Sequence, residues 1–223
     1  ESDNRNDGIE NLNNLREEID KMITYTDAYI EQVDWVTELY QKQYDKWEID
    51  NDSIFLDFQD DEEEPGGKYY FAPMGLYTQR DPFDPPRVNF DAIKLDGTFR
   101  LMPKEVGLKM TEIYDGTELR YLIENTGKNE ERYVNQFVNR IANKWVFDLP
   151  WVDVDYNEFW TENRKYIQND KFIKYNLYKR LDLWEWSVKE QLQQYRTSLI
   201  ESTVMLDSVI AVRDSEYEFI WWV

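Results

Sequence analysis

Without His or Cys, the chemistry that this sequence leaves open in plain view is carboxylate chemistry. Its 223 residues include 46 Asp and Glu and 26 Lys and Arg, but no His and no Cys. Ser–His–Asp and Cys–His triads are therefore excluded, as is a thiolate nucleophile. Zinc, haem and iron–sulfur sites lose their usual ligands as well. Carboxylates alone suffice for two activities. Two acids about 5–9 Å apart can hydrolyse a glycoside, and Asp81/Asp84 and Asp153/Asp155 lie in aromatic-rich stretches whose ring faces suit a sugar. A cluster of hard oxygens can hold Ca²⁺, and the densest one is Asp57, Asp60, Asp61, Glu62, Glu63 and Glu64. Neither pattern is specific. Neighbouring acids arise by chance in so acidic a chain, and turns or helix caps account for the two pairs. The acidic run lacks the alternating acids, central Gly and closing Glu of a calcium loop, so it reads first as a solvated loop. No catalytic residue, metal or cofactor is assigned.

The aromatic residues are open to two readings, core packing and binding. The chain holds 9 Trp, 16 Tyr and 11 Phe, and each buried ring removes about 150–250 Å² from water. That is enough for a sizeable core, which Trp184 and Phe137 are expected to join. Tyr69, Tyr70, Phe71, Trp151 and Tyr156 are the expected binding surface, because adjacent rings cannot all point inward from one strand and such rings dominate binding hot spots.

Charge separates the start of the chain from the rest. Residues 1–64 hold 21 acids and 5 bases, leaving 25 acids and 21 bases for the other 159 residues. This imbalance argues against a nucleic-acid partner, which needs clustered Lys and Arg. The local basic patch of Arg164, Lys165, Lys171, Lys174, Lys179 and Arg180 is expected to face the acidic first helix.

The elements that must position these residues are helices. Scarce Gly (8) and Pro (7) favour long ones. Leu12, Leu15, Ile19, Met22, Thr26, Tyr29, Val33, Val36 and Tyr40 recur at alternating spacings of three and four, which predicts a first long helix over 8–48. Asn169-Asp170 offers an N-cap to a last long helix over 169–213, with the apolar line Ile173, Leu177, Leu181, Trp184, Val188, Leu192, Tyr195, Leu199, Met205/Leu206 and Val209. Two such helices bury their stripes against each other as an antiparallel hairpin, or against a second copy of the chain. Between them, 50–88 reads as an irregular acidic and Pro-rich loop and 89–160 as a smaller helical insert. Within that insert a short helix stops at Gly97, Pro103 opens another, and a third from about Thr117 has a soft spot at Gly127. The expectation is a mainly all-α chain that forms a single domain over 1–223.

The order of these segments resembles an uncharacterised family of Bacteroidota proteins, each with one N-terminal transmembrane helix and a mostly helical soluble domain. The likeness is carried by the acidic, leucine-spaced opening from Glu10 to Lys21. It continues in Asn89-Phe90-Asp91-Ala92-Ile93-Lys94-Leu95-Asp96-Gly97 with Phe99-Arg100-Leu101-Met102-Pro103 and Ile113-Tyr114. It ends in Asn169-Asp170-Lys171-Phe172 leading through Leu177-Tyr178-Lys179-Arg180-Leu181. The family's anchor and terminal aromatic-amide motif are not in this sequence, and the Pro-rich loop and terminal tryptophans are not family features. The resemblance implies an N-terminal anchor outside this sequence and a periplasmic position on a bacterial inner membrane, with no activity. In that setting Trp221 and Trp222 suit the headgroup layer.

Taken together, the residues suggest a non-enzymatic, membrane-tethered scaffold or protein-interaction domain with a protein partner. The alternatives are a carboxylate-based glycan-binding protein or hydrolase, and calcium binding by the acidic loop.

Overall fold

A computed structural model describes residues 2–49, 80–144 and 170–220. Helix is the regular structure of the described residues, with no strand among them, and the chain is mainly all-α. The elements are α1 (Ser2–Ile49), α2 (Val88–Asp96), a 3₁₀ turn (Thr98–Leu101), α3 (Lys104–Asp115), α4 (Thr117–Glu124), a π-helical segment (Asn125–Asn129) and α5 (Glu130–Lys144). They continue with α6 (Lys171–Leu181), a second π-helical segment (Asp182–Val188) and α7 (Lys189–Ile220). The helices group into two compact units. The first takes the opening of α1 to Gln32, Phe83–Glu124 and the chain from Lys189; the second takes the chain from Val33 to Pro82 and Asn125–Val188. The helices between the two long ones are thus divided between the units, α2 to α4 in the first and α5 and α6 in the second.

The alternating stripe of α1 is the reason it is one long helix, and every member of it is buried, from Leu12 through Thr26 to Tyr40. In the first unit α7 runs antiparallel to α1, as two bridges fix: Arg16 Nε donates to Asp207 Oδ1 at 2.9 Å, and Arg196 pairs with Asp27. In the second unit α6 runs antiparallel to the later turns of α1. Tyr40 lies under Arg180, and Tyr44 meets Tyr178 with ring centroids 6.0 Å apart.

The local signals read from the sequence are met at three helix ends. Gly97 stops α2 in the left-handed region at φ 87°, which a side chain rarely adopts. Pro103 stands at the entry of α3, and Asp170 caps α6 by accepting from the Phe172 N–H at 3.0 Å. Gly116 separates α3 from α4 by its extended backbone, at φ −72° and ψ 170°, where any Cβ would sit 2.0 Å from the Glu112 carbonyl oxygen.

The π-segments follow from how the buried residues are spaced. An α-helix turns about 100° per residue, so a step of four overshoots one turn by about 40°. Alternating threes and fours cancel that error. Leu122, Thr126, Glu130 and Val134, however, are buried at three successive steps of four, as are Arg180, Trp184, Val188 and Leu192. The accumulated drift of about 120° would rotate the last residue off the buried face. A wider π turn absorbs it, and each segment falls within its run of fours. The soft spot expected at Gly127 is the centre of the first.

The first unit contains a buried acid that the acidity of α1 disguised. Glu18, 3% exposed, accepts from the backbone N–H groups of Asn89 (2.6 Å) and Phe90 (3.1 Å) and from the Tyr114 hydroxyl (2.9 Å). Arg87, at the N-cap position of α2, supplies no side-chain cap, so α1 caps α2 across the fold. The same contact seats the stacked pair Phe90–Tyr114, whose centroids are 4.1 Å apart. Glu18→Ala is expected to cost about 1–3 kcal/mol by orphaning these donors. Glu17→Ala, on the exposed face one residue away, is expected to stay within about 0.5 kcal/mol. Urea unfolding of both variants measures the difference, and equal losses would show that the cap carries no stability.

Phe83 is a second anchor of this unit, fully buried although it sits in the proline-studded stretch. Its ring meets Tyr25, Tyr29 and Tyr195 at centroid distances of 5.3, 5.1 and 5.8 Å. The Asp84 N–H donates to the Tyr25 hydroxyl at 3.0 Å, holding the chain as it enters α2.

Candidate functional site

A fully buried constellation of charged and aromatic groups lies in the second unit, and none of it was anticipated as a site. Glu130 opens α5 and is fully buried, as are Arg180 near the end of α6 and Trp184 in the π-segment behind it, at 0, 0 and 1% exposure. Arg180 binds the carboxylate with two of its nitrogens: Nε donates to Oε2 at 3.2 Å, and Nη2 pairs with Oε1. Trp184 Nε1 donates to Oε2 at 2.9 Å. Beneath them the Arg180 guanidinium lies 4.9 Å from the Tyr40 ring centroid.

Local structure explains why these groups converge. Arg180 and Trp184 are four residues apart, hence on one face of their helix, and Glu130 sits immediately after the first π-segment. Burial would lower the Arg180 pKa, but the attractions of Tyr40 and Glu130 outweigh it and the guanidinium stays charged. Burial is also the main reason the Tyr40 pKa is raised.

The cluster is organised to hold helices together. A general base needs an oxygen free to meet a substrate proton. Both Glu130 oxygens are already taken, one by Arg180 and the other by Arg180 and Trp184, and no member of the trio faces solvent. What such an arrangement does is fix α5 against α6 in one register, because a carboxylate with two partners tolerates little sliding.

Outside this closed core the second unit is lined with rings. Trp35 (55%), Tyr175 (61%), Tyr178 (46%) and Trp186 (71%) stand exposed, with Arg80 over the Trp35 ring at 5.4 Å from its centroid. The first unit exposes aliphatic side chains such as Val88, Leu95, Leu108 and Val204, and Tyr121 among its rings.

The expected sites fare differently. Asp81 and Asp84 are both exposed. Asp153, Asp155, Tyr69, Tyr70, Phe71, Trp151 and Tyr156 lie outside the described residues, as do Asp57, Asp60, Asp61, Glu62, Glu63, Glu64, Trp221 and Trp222. Among the described residues, no group of three or more Asp or Glu is placed to hold a metal ion, and no helix is long and apolar enough to cross a membrane. Trp184 and Phe137 are core, as expected, whereas Trp186 is not. The basic patch needs correction at Arg180, whose carboxylate is Glu130 of α5 and not an acid of α1. Lys179 bridges to Asp182 of its own helical run at 2.9 Å, and Lys174 lies over the Tyr44 ring of α1.

The first unit has its own surface network. Arg87 donates to Asp91 and Asp115, and Lys94 donates to Asp115. The Arg87 hydrogen bonds lower the Asp91 pKa. Burial would raise that of Asp115, but Lys94 and Arg87 outweigh it and the net shift is downward. The four groups tie α2 to the end of α3, and their exposure limits what they add to stability.

Fold and site together define an all-helical protein of two units with closed polar cores and an aromatic-rich surface on the second. No family model, curated protein or solved structure matches the chain.

Proposed function

We propose that this chain is a non-enzymatic scaffold whose second unit presents a ring-rich surface to a protein partner. The observation that carries this reading is the exposure of Trp35, Tyr175, Tyr178 and Trp186 around a core whose charged groups are already satisfied. Leaving large rings in water is costly, and Trp and Tyr are the residues that most often anchor interfaces. The family resemblance supports the rest of the reading, a tether to the outer face of a bacterial inner membrane that holds this surface in the periplasm.

The test is proximity crosslinking of the full chain in its native cells, comparing wild type with Trp35→Ala/Trp186→Ala. Both positions are exposed, so the thermal midpoint should stay within a few degrees of wild type. The recovered set of neighbouring proteins should shrink. An unchanged set alongside an unchanged midpoint overturns the scaffold reading.

A further inference from the structure

Helix α2 is apolar on two opposite faces. Phe90 and Ile93 are buried in the first unit. Val88, Ala92 and Leu95 recur at i, i+4 and i+7 on the other side. All three are exposed, Val88 by 76% and Leu95 by 88%. A surface helix normally turns charged residues to water. Here the charges keep to the edges of the apolar strip, with Asp91 along one side and Asp96 along the other. The cations of this segment, Arg87 and Lys94, are already held by Asp91 and Asp115.

A line of acids runs beside the strip. α2 lies antiparallel to the opening of α1: Asn89 Nδ2 donates to the Asn14 carbonyl at 2.9 Å, and just past the other end of α2 Asn11 Nδ2 donates to the Thr98 hydroxyl at 3.1 Å. Glu10, Asn14 and Glu17 share one exposed line of α1, again at i, i+4 and i+7. Neither glutamate is held by a cation among the described residues. Lys21 closes the line one turn beyond Glu17. Each line is opposite the buried face of its own helix, so the two lie side by side on one surface, about 8–10 Å apart as packed helices are.

Charge decides what can cover the strip. Over all its residues the first unit holds 23 acids and 12 bases, a net of −11. A second copy of this unit, or an anionic membrane, would bring like charge to the face and be repelled. A basic amphipathic helix fits both lines at once. Its apolar side chains cover Val88, Ala92 and Leu95, while its Lys and Arg reach Glu10, Glu17 and Asp96.

We infer that this α1–α2 surface docks a basic amphipathic helix of a partner protein, a site that concerns the first unit alone and goes beyond the scaffold reading. The probe is a helical peptide with Leu along one face and Lys along the other, titrated into the full chain. The controls are the same peptide with Glu for Lys, and a scrambled Leu/Lys peptide. Wild type should bind the Leu/Lys helix, more weakly as salt rises, and each control at least about tenfold less tightly. Val88→Gln/Leu95→Gln and Glu10→Gln/Glu17→Gln should each weaken binding about tenfold or more. Circular dichroism should not change, because all four side chains are exposed. Glu31→Gln/Glu190→Gln removes the same charge from exposed positions of the first unit, with Glu31 about 21 Å along α1 from Glu17. That variant should stay within about twofold of wild type.

Any of three results would overturn this docking site: no binding of the Leu/Lys helix by wild type, undiminished binding by Val88→Gln/Leu95→Gln, or equal losses in the two glutamate variants. A dimer that Val88→Gln/Leu95→Gln abolishes in sedimentation would assign the strip to a second copy and overturn it too. So would adsorption of wild type to phosphatidylglycerol vesicles in place of the peptide.

Discussion

Glu130→Leu is expected to lower the stability of the protein by about 3–5 kcal/mol, and Arg180→Met by a similar amount. Each variant leaves a charge or its hydrogen-bonding groups in a fully buried place with the partner gone. Desolvation is the larger force here, because a buried ion has given up its hydration whether or not its partner remains. For the same reason the double variant Glu130→Leu/Arg180→Met should recover most of the loss. Removing both charges removes both desolvation costs, and Leu and Met fill similar volumes. It should still fall about 1–3 kcal/mol short of wild type, since Trp184 Nε1 loses its acceptor. Adding Trp184→Phe should close part of that gap. Urea unfolding of the four variants measures the cycle. A double variant as unstable as the sum of the two single ones would show that the pair acts through packing alone.

The same cluster marks where the sequence was hardest to read. Periodicity exposes what lies on a stripe, so the stripes of α1 and of the α6–α7 run were legible almost residue by residue, from Leu12 to Tyr40 and from Ile173 to Leu206. Caps and breakers were legible too, because Asp170, Pro103 and Gly97 act on their own neighbours. Glu18, Glu130 and Arg180 were not. Each looks like one more charge in a charged segment, and the feature that singles it out is a partner 50 or more residues away. A physical signal was nevertheless present for two of them. Both Glu130 and Arg180 belong to runs of four-residue spacing that an α-helix cannot keep buried without a wider turn. A Glu or Arg that completes such a run is occupying a core position.

Phe83 was hidden for the opposite reason. Pro82, Pro85 and Pro86 mark an extended surface stretch, and that reading holds for Asp81, Pro82 and Asp84, which are exposed. A loop can still be pinned by one ring, and this one is pinned into the Tyr25–Tyr29–Tyr195 group of the first unit. The exposed rings of α6 and its π-segment lay in a helix read only for its apolar line. Tyr175, Tyr178 and Trp186 are off that line by helical angle, so their exposure was available from the spacing once Ile173, Leu177, Leu181 and Trp184 were placed inside.

Alkaline pH should unfold this protein through three tyrosines. Burial raises the pKa of Tyr40, Tyr114 and Tyr195 above the ordinary value of 10.0; Glu18 raises Tyr114 further, and Arg87 only partly offsets the shift of Tyr195. In the folded protein these hydroxyls keep their protons above pH 10, whereas in the unfolded chain they release them. The unfolded state then binds fewer protons, so the stability these groups contribute is fully present below about pH 10 and falls as pH rises beyond it. Each group contributes about 1.4 kcal/mol per pH unit in that range. Tyr114 and Tyr195 together take about 2.8 kcal/mol per unit from the first unit, and Tyr40 takes about 1.4 kcal/mol per unit from the second. Lys109 acts in the same direction: burial lowers its pKa, but Glu201 and Glu112 outweigh that and raise it. Urea unfolding at steps from pH 9 to about pH 12, with tyrosinate absorbance followed in parallel, should show midpoints dropping together with a late, cooperative release of protons. Tyr195→Phe supplies the control. It loses the hydrogen bond to the Ile113 carbonyl, 2.8 Å long, and so starts about 0.5–1.5 kcal/mol lower at neutral pH. Its stability should then fall less steeply above pH 10, because one of the three protons is no longer in play. A gradual titration of all 16 tyrosines with no change in unfolding midpoint would mean that these hydroxyls reach water in the folded state, which the buried Tyr195–Ile113 and Tyr114–Glu18 bonds oppose.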